Sequence, residues 1–175
     1  MALGRFGLLA ALVGCMLGAS VTTGFSAKDA GSTASGLPLP RYVSLKSDHV
    51  FVRAGPTKDN DVAWVYTRSG LPVGITAEFE NWRRVRDSEG AEGWVYHSLL
   101  SGRRTAVVTM KSKDDLAPLH ESADPISVVT ARLQAGVVAQ VRKCTSNWCH
   151  VVGNGFDGWI EQQRLWGVYS DEKVD

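Results

Sequence analysis

Cysteine is scarce in this chain, with three among 175 residues, and one of the three, Cys15, lies in the apolar N-terminal segment. The other two, Cys144 and Cys149, have no second ligand pair elsewhere, and the nearest histidine is the adjacent His150. That arrangement argues against a tetrahedral zinc site. The C-x4-C spacing also differs from the C-x-x-C of thiol oxidoreductases. We therefore expect no metal, no redox centre and no cofactor.

Catalytic signatures are also missing. The chain has no Gly-x-Ser-x-Gly, no phosphate loop and no His-Glu-x-x-His, and its carboxylate pairs, such as Asp59/Asp61 and Asp114/Asp115, lie in turn-like contexts. The histidines are scattered, at positions 49, 97, 120 and 150. We expect a protein that is not an enzyme.

Neither sign of charge is in excess, since 19 basic residues face 18 acidic ones. A protein that concentrates nucleic acid or anionic lipid on its surface usually carries a strong basic field. We therefore expect no nucleic-acid partner.

No apolar run is long enough for a membrane-spanning helix, which needs about 20 residues. The apolar stretch Phe6–Ala19 follows Arg5 and precedes small residues suited to cleavage, a pattern typical of a secretory signal peptide. We predict a signal peptide over residues 1–27, a flexible linker without packing role over residues 28–36, and a periplasmic or secreted protein. An alternative stays open, because Leu12–Cys15 resembles a lipobox, in which Cys15 would carry lipid.

Two copies of one pattern occupy the rest of the chain. Asn81-Trp82 recurs 66 residues later as Asn147-Trp148, and Gly93-Trp94-Val95 recurs 65 residues later as Gly158-Trp159-Ile160. Further matches follow in the same order. We predict two domains, 37–103 and 104–169, and a polar tail over residues 170–175.

Each copy has short strand-like segments between turn signals and no long helical period. In the first copy we predict strands at 50–52, 62–66, 71–79, 82–86 and 93–96. So few short strands are accommodated best by a small, partly open β-barrel, so the fold class is all-β. The predicted core comprises Val52, Val65, Leu71, Val73, Ile75, Val85, Val95 and Leu100, and in the second copy Leu119, Val129, Val137, Val151, Ile160 and Leu165.

Four segments of the first copy, 52–56, 70–73, 81–85 and 93–95, together resemble the bacterial SH3 (SH3b, Src-homology-3-like) domain. The second copy keeps the Asn-Trp and Gly-Trp-Ile elements but diverges at 119–122. The resemblance covers nearly everything after the linker and implies two tandem SH3-like barrels.

Cys144 and Cys149 fall where the repeat predicts a hairpin, and thiols of an exported protein in this arrangement usually form a disulfide. In the first copy the equivalent positions are Glu78 and Arg83. We expect an exposed cross-strand ion pair there, contributing about 0.2–1 kcal/mol.

Trp82 and Val85 are three residues apart, so on a regular strand they point to opposite faces. If Val85 is in the core, Trp82 lies on a groove face, where it would recognise extended peptides as in eukaryotic relatives. The resemblance places Tyr96 and Leu99 on the same side. Predicted ligand-binding residues are Arg53, Tyr66, Trp82, Tyr96, Leu99 and, in the second copy, Trp148. A purely structural role for Trp82 and Trp148 stays open.

The resemblance implies an exported, non-catalytic binding protein of the cell envelope that recognises peptidoglycan or its peptides. Two alternatives stay open: a periplasmic adaptor that binds another envelope protein, and an accessory subunit of a cell-wall hydrolase. Contact with the membrane is expected only through the leader or a lipid on Cys15. The sequence does not predict an oligomeric state.

Overall fold

The computed structural model describes residues 33–110, 112, 115–145 and 147–175. The predicted signal peptide, Cys15, the first part of the linker and Asp114 lie outside these residues. Within them the regular structure is β-strand except for two single-turn 3-10 helices. No helix in the same part of the chain has the length and hydropathy to cross a membrane.

The first copy forms one antiparallel sheet of seven strands that curls around its own core, in the order β3-β2-β6-β5-β4-β1-β7. The strands are β1 (Arg41–Leu45), β2 (Val50–Arg53), β3 (Val62–Tyr66), β4 (Pro72–Phe79), β5 (Trp82–Arg86), β6 (Glu92–Tyr96) and β7 (Leu100–Ser101), with a 3-10 turn at His97–Leu99 before β7.

The second copy repeats this topology in the order β10-β9-β13-β12-β11-β8-β14. Its strands are β8 (Thr105–Val108), β9 (Leu116–His120), β10 (Val129–Gln134), β11 (Val138–Thr145), β12 (Trp148–Gly153), β13 (Phe156–Glu161) and β14 (Leu165–Trp166), with a 3-10 turn at Gln162–Arg164. The all-β prediction with two tandem small barrels is confirmed.

Each Asn-Trp motif lies at a hairpin turn, and this turn determines how the two flanking strands pair. Phe79 pairs with Trp82 and Thr145 with Trp148, so each turn has two residues. Asn147 takes a left-handed φ of 65°, which asparagine adopts more readily than most residues because its short polar side chain tolerates it.

Most predicted core residues are buried, but two predictions are wrong. Val65 pairs with Phe51, which is 44% exposed, so both lie on the outer side of β2 and β3, while Tyr66 turns into the core. Val129 is 38% exposed. A bulge between Val129 and Ala131 shifts the alternation of β10, so that Leu133 enters the core instead.

The ends of the described chain also differ from expectation, because they pack on the barrels. Ser35, from the predicted linker, donates hydrogen bonds to the Glu78 carboxylate from its backbone N–H and its hydroxyl, both at 2.7 Å. In the predicted tail, the backbone of Val174 pairs with that of Cys144, and Glu172 accepts hydrogen bonds from Arg104 at 2.7 and 2.9 Å. Both segments contribute to the folded unit.

Aromatic side chains join the two barrels. The ring of Tyr42 lies 5.1 Å from that of Trp166 and 4.7 Å from that of Tyr169, centroid to centroid. The Arg68 guanidinium also donates a hydrogen bond from the first barrel to the carbonyl of Gly136 in the second, at 2.8 Å. The barrels therefore contact each other through named side chains and not only through the chain that links them.

Candidate functional site

A small cavity of about 170 Å³ opens on the surface of the first barrel. It is lined by Phe51, Arg53, Lys58, Trp82, Tyr96 and Leu99. We call this set the aromatic groove. Four of its members are among the ligand-binding residues predicted from the sequence, and Phe51 and Lys58 are new.

Trp82 and Tyr96 form the aromatic wall of the groove. They begin β5 and end β6, are directly opposite in the register, and pack edge to face with ring centroids 5.4 Å apart. Val85 is fully buried in the core, so Trp82 lies on the other face of β5, as alternation predicts. Because Trp82 is only 8% exposed, its ring also supports the barrel wall. The two roles of Trp82 that the sequence left open are therefore compatible.

The charged side of the groove comes from the end of β2 and the loop after it. The Arg53 guanidinium donates a hydrogen bond to the Asn60 carbonyl at 2.6 Å, which ties the strand to the far end of the loop. Gly55 keeps this loop tight, since a Cβ there would approach Asn60 to 2.5 Å. Lys58 is exposed and forms no ion pair with any described residue. The lining thus has two cations and no carboxylate.

Tyr66, also predicted to bind ligand, does not line the groove. Its side chain is buried in the core, and its hydroxyl donates a hydrogen bond to Asp87 at 3.0 Å. Burial, and then the charge of Asp87, raise the pKa of the Tyr66 phenol far above its usual value. The geometry assigns Tyr66 a packing role.

The arginines of the basic segment 83–86 form salt bridges within the barrel. Arg84 and Arg86 both pair with Glu92, at 2.7 and 2.5 Å, while Arg83 pairs with Glu78 at 3.1 Å. Each guanidinium group therefore has a carboxylate partner, and Arg84 and Arg86 share one.

Glu78 and Arg83 face each other across β4 and β5, as Cys144 and Cys149 do across β11 and β12. The disulfide between Cys144 and Cys149 is present, as predicted. The ion pair differs from expectation because it is buried: the Glu78 side chain is 1% exposed and also binds Arg41 at 2.5 Å. Burial alone would raise the pKa of Glu78, but hydrogen bonds from Arg41 and Ser35 outweigh it and hold that pKa below its usual range.

The second barrel carries a different set of side chains at the positions of the aromatic groove. Glu161 lies opposite Trp148 where Tyr96 lies opposite Trp82, and it accepts a hydrogen bond from Arg164 at 2.7 Å. His120 takes the place of Arg53, and its ring packs edge to face on Trp148 with centroids 5.3 Å apart. Trp148 also lines a separate, larger cavity. The two barrels therefore present different chemistry from one topology.

Phe51 and Lys58 were missed at the sequence level for different reasons. Phe51 alternates with the buried Val50 and Val52, so its position on the outer face of β2 was readable from the period. Lys58 lies in an irregular loop, where no period predicts direction. Among the described residues, no cluster of three or more His, Cys, Asp or Glu side chains could hold a metal ion.

Among known structures, the chain matches two proteins of Trichomonas vaginalis, NlpC2 and NlpC1, at 13% identity and TM-scores of 0.33 and 0.32. These matches cover 73% and 76% of this chain, which spans about half (48%) of the length of either structure. No curated protein matches the chain. Residues 46–102 and 113–167 each match the family described as bacterial SH3 domain. With both barrels matched, the chain belongs to the bacterial SH3 domain family and carries the domain twice in tandem.

Proposed function

We propose that this protein is an exported, non-catalytic binding protein of the cell envelope whose first barrel binds peptidoglycan peptides in the aromatic groove. The observation that carries the proposal is the pairing of an aromatic wall, Trp82 and Tyr96, with two cations, Arg53 and Lys58, around one cavity. Membership of the bacterial SH3 family supports a binding role in the cell wall.

The lining predicts what kind of peptide fits. The edge-to-face pair of aromatic rings offers an apolar surface to an extended chain. A free peptide C terminus is a carboxylate that Lys58 and Arg53 attract. Since ligand cavities usually measure roughly 300–1,000 Å³, a groove of about 170 Å³ takes one or two side chains of a longer ligand. We expect weak binding of a short anionic peptide, strengthened when many copies are displayed on a wall.

Export is part of the proposal and is supported by two features of the sequence. The N-terminal segment has the pattern of a signal peptide. The Cys144–Cys149 disulfide, present in the folded barrel, is typical of proteins in an oxidising compartment such as the periplasm. Periplasmic or secreted protein is the localisation we propose, and lipid attachment at Cys15 is the alternative form of it.

Binding of soluble stem peptides, released from purified protein-free sacculi, tests the proposal. We compare the wild type with Lys58→Glu, which replaces an attraction by a repulsion at the groove and should weaken peptide binding about tenfold. The matched control is Lys143→Glu, which makes the same charge change at an exposed position on β11 of the second barrel. Calorimetry or NMR titration gives the affinities.

Equal loss in both variants would mean that only net charge matters, and no binding by the wild type would contradict a peptide ligand outright. If the protein ignores both sacculi and stem peptides but retains another purified envelope protein, the adaptor function replaces the one proposed.

A further inference from the structure

The second barrel contains a cavity of about 620 Å³ that is separate from the aromatic groove. It lies between the β11–β12 turn, the 3-10 turn before β14 and the C-terminal segment. The lining comprises Asn147, Trp148, Glu161, Gln162, Gln163, Leu165, Val168, Ser170 and Asp171.

The buried side chain of Gln162 holds one wall of this cavity in place. Its amide nitrogen donates to the Glu172 carbonyl at 3.1 Å, and its amide oxygen accepts from the Asp171 N–H at 3.0 Å. Arg104 binds the Glu172 carboxylate from below. The C-terminal segment is thus fixed by hydrogen bonds, and the cavity beside it is preformed.

One wall of this cavity is particular to the second barrel. Gln162 follows β13 as His97 follows β6, and His97 is exposed. The wall formed by residues 168–171 comes from the C-terminal segment, which follows β14 and has no counterpart after β7 among the described residues. The cavity of about 200 Å³ beside His97 and Leu100 in the first barrel therefore lacks this wall and is smaller.

Four polar groups that line the cavity have no partner within the described chain. The Asn147 amide, the Trp148 indole N–H, the Ser170 hydroxyl and the Asp171 carboxylate make no side-chain hydrogen bond or ion pair to any described residue. The Glu161 carboxylate, by contrast, is occupied by Arg164 and Gln163. Asn147, Ser170 and Asp171 are exposed, so their polar groups are accessible to a ligand that enters the cavity beside the half-buried Trp148.

The kinds of group present select the class of ligand. An amide donates and accepts, a hydroxyl does both, the indole N–H donates and the carboxylate accepts. A ligand amine would leave the donors unpaired, whereas the hydroxyls of a sugar both donate and accept. The Trp148 ring supplies an aromatic surface for the apolar C–H face of a sugar. Cavities of roughly 300–1,000 Å³ hold small molecules, so the volume suits a ligand of a few sugar rings.

We propose that this cavity of the second barrel is a binding site for a neutral oligosaccharide, with Trp148 as the stacking surface and Asn147, Ser170 and Asp171 as hydrogen-bond partners. The site is distinct from the aromatic groove, so the proposal holds or fails independently of the peptide ligand of the first barrel.

The test is an NMR titration of the full chain, followed at the Trp148 indole N–H signal. The neutral probes are the β-1,4 trisaccharide of N-acetylglucosamine and cellotriose, and the cationic probe is cadaverine. We expect at least one trisaccharide to shift the signal with a Kd of roughly 1 mM, as suits a small open site. Cadaverine should shift it less.

Two pocket variants and one control complete the experiment. Asn147→Gly with Ser170→Ala removes two partners at exposed positions, and glycine preserves the left-handed backbone at 147; trisaccharide binding should fall at least tenfold. Asp171→Asn keeps the shape and should weaken sugar binding only a few-fold. Asn154→Ala, at an exposed turn position outside the cavity, should leave binding unchanged.

The proposal is overturned if neither trisaccharide shifts the Trp148 signal at about ten times the expected Kd. It is equally overturned if cadaverine binds more tightly than the sugars and loses its binding in Asp171→Asn, because the site would then be one for amines.

Discussion

At the scale of single residues, one pair of facing strand positions is held by a different interaction in each barrel. Positions 78 and 83 in the first barrel hold a carboxylate and a guanidinium, and the equivalent positions in the second hold the disulfide. The carboxylate is buried and satisfied by Arg41, Arg83 and Ser35 together. A buried charge is stable only with such a set of partners.

Replacing Glu78 by glutamine tests how much this network contributes to the free energy of unfolding. The Glu78→Gln variant leaves Arg41 and Arg83 without their shared counter-charge in a buried setting, and we expect the free energy of unfolding to fall by about 3 kcal/mol. Urea denaturation measures it. Glu80→Gln is the control, since Glu80 is exposed and its carboxylate makes no hydrogen bond or ion pair with any described residue; equal losses in both variants would contradict a special role for Glu78.

The same network predicts how stability depends on pH. The pKa of Glu78 is lower in the folded protein than the usual value of about 4.3 for an unfolded chain. Its stabilisation is therefore fully present above pH ~4.3 and is lost as the pH falls through the folded-state pKa. Unfolding measured from pH 6 to pH 2 should show a steeper loss for the wild type than for Glu78→Gln. Parallel curves would contradict this.

At the scale of strands and turns, much of the barrel is predictable because its signals are local. The turns at Asn81 and Asn147 and the alternation around Val85 follow from residue type and period. Bulges cannot be read from such local signals. For that reason the prediction that Val129 lies in the core is wrong. β1 was missed because its strand pairing, with Val43 opposite Val73, forms only in the folded barrel.

The residues predicted for the groove also divide into those that local signals place correctly and those that they do not. Trp82 and Tyr96 were predicted together because they are neighbours across adjacent strands, a relation that register determines. Tyr66 does not line the groove, because its hydroxyl is held in the core by a hydrogen bond to Asp87 on a distant turn, which no local signal predicts.

The disulfide hairpin supplies a prediction at this scale. Replacing Cys144 and Cys149 together by serine should lower the free energy of unfolding by about 2 kcal/mol, the entropy of closing so short a loop. The paired backbone groups of Cys144 and Val174 lie beside the bond. Hydrogen exchange at these amides should therefore accelerate more than at Val85 in the first barrel. If neither the free energy of unfolding nor the exchange rates change, the strand pairing of the hairpin stabilises this part of the sheet without the disulfide.

At the scale of the whole molecule, the two copies share a topology but differ at their surfaces. The first barrel combines aromatic rings with cations, and the second adds a polar cavity closed by the C-terminal segment. The repeat offsets predict the shared topology, because they identify the residues that form each barrel. They cannot predict the contact between barrels, because Tyr42, Trp166 and Tyr169 lie outside the repeated motifs.

The contact around Tyr42 predicts coupled unfolding. Removing the ring in Tyr42→Ala deletes two aromatic pairs, each contributing about 0.5–1.5 kcal/mol. We expect one calorimetric transition for the wild type and two for Tyr42→Ala. Tyr96→Ala removes a tyrosine from the groove, away from this contact, and should leave one transition. Separation in both variants, or in neither, would contradict coupling through Tyr42.

The most direct test of the central claim is an NMR measurement of intermolecular contacts between the full chain and a soluble peptidoglycan stem peptide. The account predicts nuclear Overhauser effects from the peptide to the rings of Trp82 and Tyr96 and from its C-terminal residue to the Lys58 side chain, and none to the equivalent face of the second barrel. Contacts confined to other surfaces, or no contacts at saturating peptide, would contradict it.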